Sequence, residues 1–324
     1  MKPLPAIVIS GFLGAGKTTV LNRMLADGLR GRKVGVIVND FGKLNVDRHL
    51  IQGGQRPVLE LSNGCVCCTL QLGLSEAVRS LAARGELDLV VIEASGISVS
   101  SSLLHVLKSQ ELAGSVRLSK VIAVVDARRD HVLHAVPAIA DQIVCANLIV
   151  LNHCDEVDAA TREAATARLR RANVDTQIVV TEYGKISADE LLREALPKAA
   201  VEHSTGHDQR WHAYEVGLAD EFDANQLLAL VDLLPPTIER VKGCVRNGQQ
   251  LHLLQKVGSF RATLEPWPAV ESSAANTIVV ISREPLEMKL RQMFPHCRVA
   301  GAPTPALTAA TTPRNAGPLP RMRR

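Results

Sequence analysis

Residues 11–18 read Gly-Phe-Leu-Gly-Ala-Gly-Lys-Thr, directly after an apolar run and directly before a helical pattern. The spacing GxxxxGK[ST] in that context is a phosphate-binding loop, because glycine lets the backbone wrap an anion while the helix N-terminus and backbone N–H groups face it. Gly11, Gly14, Ala15 and Gly16 would form the cradle, Lys17 would reach the β and γ phosphates, Thr18 would ligate Mg²⁺, and Thr19 would join the nucleotide-binding residues. The bland alternative is a glycine-rich strand-to-helix turn with no ligand. A loop of this kind commits a chain to an α/β layer whose chemistry lies at the carboxyl ends of the strands.

The rest of the first two thirds agrees. Short apolar runs at 6–10, 34–39, 87–93, 121–126, 148–152 and 177–180, with 58–61 a further candidate, alternate with amphipathic stretches at 17–29, 70–83, 99–108, 130–144, 160–172 and 188–196. The runs are continuously apolar, as buried parallel strands are. The fold expected is therefore α/β, a P-loop NTPase domain with a mostly parallel sheet over 1–197. A polar linker follows at 198–210, then a small α+β C-terminal domain over 211–299, with helices at 223–234 and 284–293 and strands at 238–245, 251–257, 260–264 and 277–282. Residues 300–324 are rich in Pro, Ala and Thr without periodicity and are expected to be a disordered tail.

Composition narrows the function. The net charge of +4 is carried by Arg314, Arg321, Arg323 and Arg324, so the body of the chain is neutral, and aromatics make up only 3%. Neither an electrostatic footprint nor a stacking platform for nucleic acid is visible. No apolar stretch reaches the roughly 18 residues of a membrane helix, and the phosphate loop starts too early for a leader, so a cytoplasmic protein is expected. Seven cysteines without secretory context argue against a disulfide framework. Cys145, Cys154, Cys244 and Cys297 stand alone and read as small buried hydrophobes.

Three further motifs carry chemistry. Glu93-Ala-Ser-Gly96 ends a buried strand, where an acid can serve Mg²⁺ or its waters and the Gly96 N–H the γ phosphate; an ordinary strand terminus is the competing reading. Asn152-His153-Cys154-Asp155 also follows a strand, and the Asp155 carboxylate there can accept from the N1–H and 2-amino groups of guanine, a donor pair that adenine lacks. An Asx turn would give the same letters. Cys65, Cys67 and Cys68 in Asn-Gly-Cys-Val-Cys-Cys offer soft thiolates, and a bend at Asn63-Gly64 is needed to bring all three to one ion. Packed thiols or a redox pair remain alternatives.

These motifs, with Asn39-Asp40-Phe41-Gly42, occur in an order that resembles the CobW-like metallochaperone GTPases, relatives of the urease and hydrogenase nickel-insertion GTPases. The resemblance covers residues 6–180 closely and, through Arg240-Val-Lys242-Gly243, the later strands more loosely. It implies GTP hydrolysis to GDP and phosphate, Mg²⁺ as cofactor, Cys65, Cys67 and Cys68 as the motif for zinc, cobalt or another soft ion, and delivery to a client metalloprotein. Asp40 is a further metal candidate at the head of a switch segment reaching Asp47. The chain departs from the pattern at Lys43, where relatives carry an acid, and at His153, where they carry a lysine. His203, His207 and His212 are a thin substitute for the histidine tract of many relatives and read as linker. Competing functions are a nucleotide-gated metal buffer or sensor, cobalt handling for cobalamin synthesis, and a small-molecule kinase. The oligomeric state is left open.

Overall fold

A computed structural model describes residues 2–40, 58–62, 68–96, 100–132, 136–193, 212–218, 223–247, 250–266, 276–295 and 297–303. The first domain is built on strands β1 (Leu4–Gly11), β2 (Val34–Asp40), β3 (Val58–Ser62), β4 (Leu89–Glu93), β5 (Val116–Asp126), β6 (Leu148–Asn152) and β7 (Gln177–Val180). They form one sheet in the order β3-β2-β4-β1-β5-β6-β7, parallel at every pairing. Its helices are α1 (Lys17–Ala26), α2 (Cys68–Ala83), α3 (Ser100–Leu107), α4 (Pro137–Cys145), α5 (Ala159–Ala172) and α6 (Ala188–Leu192).

Strand alternation distributes the core. Ala6 and Val8 of β1 face a layer holding Leu74, Val78 and Leu81 of α2 and Leu103 and Leu107 of α3, whereas Ile7 and Ile9 face Val20, Leu21 and Met24 of α1. Both faces of the sheet are therefore covered, which is why the strand sequences are apolar throughout rather than alternating. Every strand then ends at one edge, and the motifs read from sequence follow from those ends.

The second domain is a sheet in the order β11-β10-β9-β12-β8-β13, antiparallel throughout, formed by β8 (His212–Gly217), β9 (Ile238–Asn247), β10 (Gln250–Val257), β11 (Thr263–Pro266), β12 (Thr277–Ser282) and β13 (Arg298–Pro303). Helices α7 (Ala224–Asp232) and α8 (Glu287–Met293) cover one face. There Val216, Val241, Leu254 and Val280 pack on Leu227, Val231, Leu290 and Phe294. The alternate residues Val279 and Ile281 of β12 point the other way and join a cluster of the first domain with Phe12, Leu13, Val136 and Ile139. An apolar run such as Thr277–Ser282 is thus buried on both sides, once in its own domain and once in the junction.

The domains are also joined by charge. Glu239 of β9, 1% exposed, accepts a hydrogen bond from Arg129 and pairs with Arg283. The β9–β12 register shifts at this point, from Arg240 opposite Ile281 to Ile238 opposite Ser282, leaving Glu239 as the extra residue of a bulge. A bulge re-aims a side chain, and this one serves the junction.

Several elements differ from expectation. The helix expected over 130–144 is a 3₁₀ turn at Ala127–Val132 followed by α4, because Pro137 suits a first helical turn and not a helix interior. The strand expected from residue 260 begins at Thr263. β13 extends order to Pro303, past the expected start of the tail at 300, since pairing with β8 supplies hydrogen bonds that periodicity does not reveal. The expected linker at 198–210 and residues 304–324 lie outside the described residues. Truncating Ile281, 3% exposed, to alanine should cost about 2–5 kcal/mol in urea-induced unfolding, because it removes packing from the junction as well as from β12.

Candidate nucleotide and metal site

The loop after β1 is shaped by two glycines. Gly14 (φ 78°) and Gly16 (φ 97°) hold left-handed backbone, and a Cβ would stand 2.5 Å from the Val257 methyls at the first and 2.3 Å from Asn152 Nδ2 at the second. Only glycine fits either position. The loop ends at α1, whose N-terminus has no side-chain cap, so its first N–H groups stay available to an anion.

The acid and hydroxyl expected at the Mg²⁺ position meet. Thr18 Oγ1 donates to Glu93 Oε1 at 2.8 Å, and Glu93, 4% exposed, is placed by the last residue of β4. A hydroxyl and a carboxylate are the hard oxygen donors that Mg²⁺ uses alongside water and phosphate, so the residues present fit that ion. Lys17 Nζ donates to Phe12 O at 3.2 Å within the loop, and Gly96 O accepts from Gln142 Nε2 at 3.4 Å. Gly14, Lys17, Thr18, Thr19, Glu93 and Gly96 share the wall of a cavity of about 390 Å³.

On the other side of the loop, Asn152 acts as a brace. Its Nδ2 donates to Ala15 O at 3.1 Å, and its Oδ1 accepts from Gly184 N at 3.0 Å, so one buried amide ties the phosphate loop to the turn after β7. Asp155 is exposed one step further along, beside Tyr183, whose phenol it holds above its usual pKa by charge repulsion and a hydrogen bond. That leaves the Asp155 carboxylate at the surface, where it can meet a base. His153 adopts a left-handed backbone (φ 60°), and its Nδ1 lies 2.9 Å from Glu156 Oε1. The imidazole is thus held in place by Glu156 beside the phosphate loop.

Glu156 is also gripped by Arg128, which donates at 2.9 and 2.8 Å to its two oxygens and at 2.9 and 2.7 Å to those of Asp126. Burial alone would raise the Glu156 carboxyl, but Arg128 and His153 outweigh it and hold the group below its usual pKa. The same guanidinium sits 4.6 Å from the ring centroid of Phe260 in the second domain. The ends of β5 and β6 are therefore stitched together and to the neighbouring domain by one arginine.

The metal motif is only framed. Cys65 and Cys67, like Lys43, His203 and His207, lie outside the described residues; Cys68 is the first residue of α2, and Asp40 is the last of β2. Among the described residues no group of three His, Cys, Asp or Glu gathers to hold a metal. Cys145, Cys154 and Cys244 are buried; burial together with Asp141 pushes the Cys145 thiol up to about 12, a protonated sulfur and a poor ligand. Sequence reasoning missed Arg128, Tyr183 and Gly184, and it missed the wall that Arg240, Lys242 and Val257 of the second domain add to the cavity. A Tyr-Gly turn just beyond the strand after Asn152 was a usable signal for the first group; nothing local marked the second.

Residues 5–180 match the family model for the CobW/HypB/UreG nucleotide-binding domain, and residues 212–298 match that for the cobalamin synthesis protein cobW C-terminal domain. A Pseudomonas aeruginosa protein named zinc chaperone CobW is 31% identical, covering 86% of this chain and 87% of its own length. The Dictyostelium discoideum zinc-regulated GTPase metalloprotein activator 1 is 30% identical over 62% of this chain and 50% of its own length. Zinc chaperone YeiR of Escherichia coli is 26% identical over 78% of this chain and 85% of its own length. Replacing Asn152 with alanine strands a buried carbonyl and a buried N–H, a loss of about 1–3 kcal/mol. A fluorescent GDP titration should show an affinity drop of roughly tenfold or more; unchanged affinity would mean the loop keeps its shape unaided.

Proposed function

The chain belongs to the CobW/HypB/UreG nucleotide-binding family, and from that premise we propose that it is a zinc chaperone whose cysteine motif holds the ion and releases it to a client metalloprotein according to the nucleotide bound. Hydrolysis of GTP is the activity of the first domain. Zinc is the favoured cargo because relatives along most of the chain are named for zinc, and three thiolates suit it.

The observation that carries the reading is adjacency at the carboxyl edge of the sheet. Asp40 of β2 lies opposite Ser62 of β3, and two residues earlier Val38 of β2 lies opposite Glu93 of β4. The segment that holds Cys65 and Cys67 lies between Ser62, the end of a strand two places from β4 in the sheet, and Cys68 at the start of α2. Asp40, at the end of the strand between β3 and β4, heads the segment that would respond to what Thr18 and Glu93 contact.

The chain's own residues account for GTP binding. Lys17 and the open N-terminus of α1 meet the phosphates, the Gly96 N–H is available to the γ phosphate, and Asn152 keeps the loop in shape. Mg²⁺, when bound by Thr18 with Glu93 behind it, supplies charge that neutralises the β and γ oxygens. The Asp155 carboxylate accepts from the guanine N–H donors, and a cysteine thiolate site with fewer than four protein ligands leaves a position for a residue of the client.

Zinc affinity measured by chelator competition should differ at least about tenfold between GDP and a non-hydrolysable GTP analogue, and serine at Cys65, Cys67 or Cys68 should lower it in both; equal affinities in the two nucleotides would end the gating idea. Asp155→Asn should shift preference from GTP toward xanthosine triphosphate, because the amide reverses the donor pattern the base must offer. Retained guanine preference would remove Asp155 as the base reader.

A further inference from the structure

The second domain does more than cover the junction. Arg240 and Lys242 lie two residues apart on β9 and so share a face of the sheet. Their partners on β12 are Ile281 and Val279, the two residues buried in the apolar cluster of the first domain, which identifies that face as the one turned toward the phosphate loop. On β10 Arg240 is opposite Val257, whose methyl groups pack on Gly14 in the middle of that loop. Both cations line the cavity that also holds Lys17, Thr18 and Glu93.

Charge points the same way. The cavity wall gathers Lys17, Arg240, Lys242 and Arg261 beside Arg128 and Lys256, which are paired with Asp126 and Glu156 and with Asp232, and Lys242 is only 6% exposed. Cations collected in a recess beside Lys17 make a site where an anion of high charge is favoured. The strand that bears them is held at fixed reach: the neighbouring Glu239 accepts from Arg129, which donates to Leu13 O of the phosphate loop at 3.4 Å and lies 5.2 Å from the Phe12 ring centroid.

We propose that Arg240 and Lys242 reach across the junction to the triphosphate of the bound nucleotide, so that the C-terminal domain supplies in cis the positive charge that compensates the transferred phosphoryl group. The inference rests on the GTPase reading. In hydrolysis water oxygen forms a bond to the γ phosphorus as the bond to the β-bridging oxygen breaks, and the leaving electron pair stays on GDP. Cations placed over the β and γ oxygens stabilise that charge most when it is greatest, at the transition state. Because the same strand is part of the junction, loss of the γ phosphate also loosens the second domain's hold on the loop.

The test uses the full chain with Arg240→Gln, Lys242→Met and Lys242→Arg, and Arg246→Gln on the exposed end of β9 as a control. Three quantities are read: phosphate release from GTP, affinity for fluorescent GDP, and affinity for GDP with aluminium fluoride. Arg240→Gln and Lys242→Met should each lower kcat and fluoride-complex affinity on the order of 100-fold, with GDP affinity changed no more than about threefold and Lys242→Arg retaining most activity. Unchanged turnover in both variants overturns the proposal, as does an equal fall in all three quantities, which would mark a structural role. Should Lys242→Met fail to fold, Arg240→Gln carries the loss readouts, with Lys242→Arg as the folded comparison that keeps the charge. Wild-type protein that neither binds GDP nor releases phosphate would sink the GTPase reading itself, whereas active wild type with unaffected variants sinks only this inference.

Discussion

A loop of backbone that must present its N–H groups to an anion cannot satisfy them within itself, and its shape therefore has to be imposed from outside. Here the imposition comes from three directions. Asn152 at the end of β6 holds the Ala15 carbonyl, Arg129 after β5 donates to the Leu13 carbonyl, and Val257 of the second domain packs on Gly14. These contacts join residues more than a hundred positions apart, so the phosphate loop is the product of the whole fold although its letters are contiguous. The left-handed glycines permit the shape; the neighbours select it.

The same arrangement makes the junction between domains part of the cavity wall beside the phosphate loop. An apolar seam at Val279 and Ile281 gives it stability, and the buried Glu239 with Arg129 and Arg283 gives it a defined register. A buried charge that lost its partners would be costly, so the bulge at Glu239 fixes which strand faces the nucleotide. Arg128 performs the corresponding task on the base side, tying Asp126 to Glu156 and stacking on Phe260. Both arginines contact the second domain, and both follow directly from the end of β5. The end of β5 is therefore joined to the C-terminal domain by two arginine side chains.

Much of this was legible in advance. The strands of the first domain were readable because burial on both faces leaves continuous apolar runs, and the meeting of Thr18 with Glu93 was readable because it depends on local spacing at two strand ends. Asn152 was recognised, but its part as a brace was not, since the amide's partners Ala15 and Gly184 are distant in sequence. The helix placed over 130–144 failed at Pro137, where a local breaker overrode an otherwise periodic pattern. β13 was missed because an edge strand, Arg298–Pro303, that buries Val299 and otherwise relies on backbone pairing shows little apolar alternation.

The sequence by itself determined that this chain folds as a parallel α/β domain with a phosphate-binding loop for a nucleoside triphosphate, and that a cysteine motif follows in the same domain. Those properties follow from periodicity and from motifs a few residues long, which depend on local geometry. Only the tertiary structure decided that Arg240, Lys242 and Val257 belong to the nucleotide cavity and that Arg128 and Arg129 join the domains. Nothing in a run such as Arg-Val-Lys-Gly distinguishes a solvated strand from one laid across a phosphate loop. That distinction depends on which face of one sheet packs on the edge of another, and packing of that kind is a property of the assembled core.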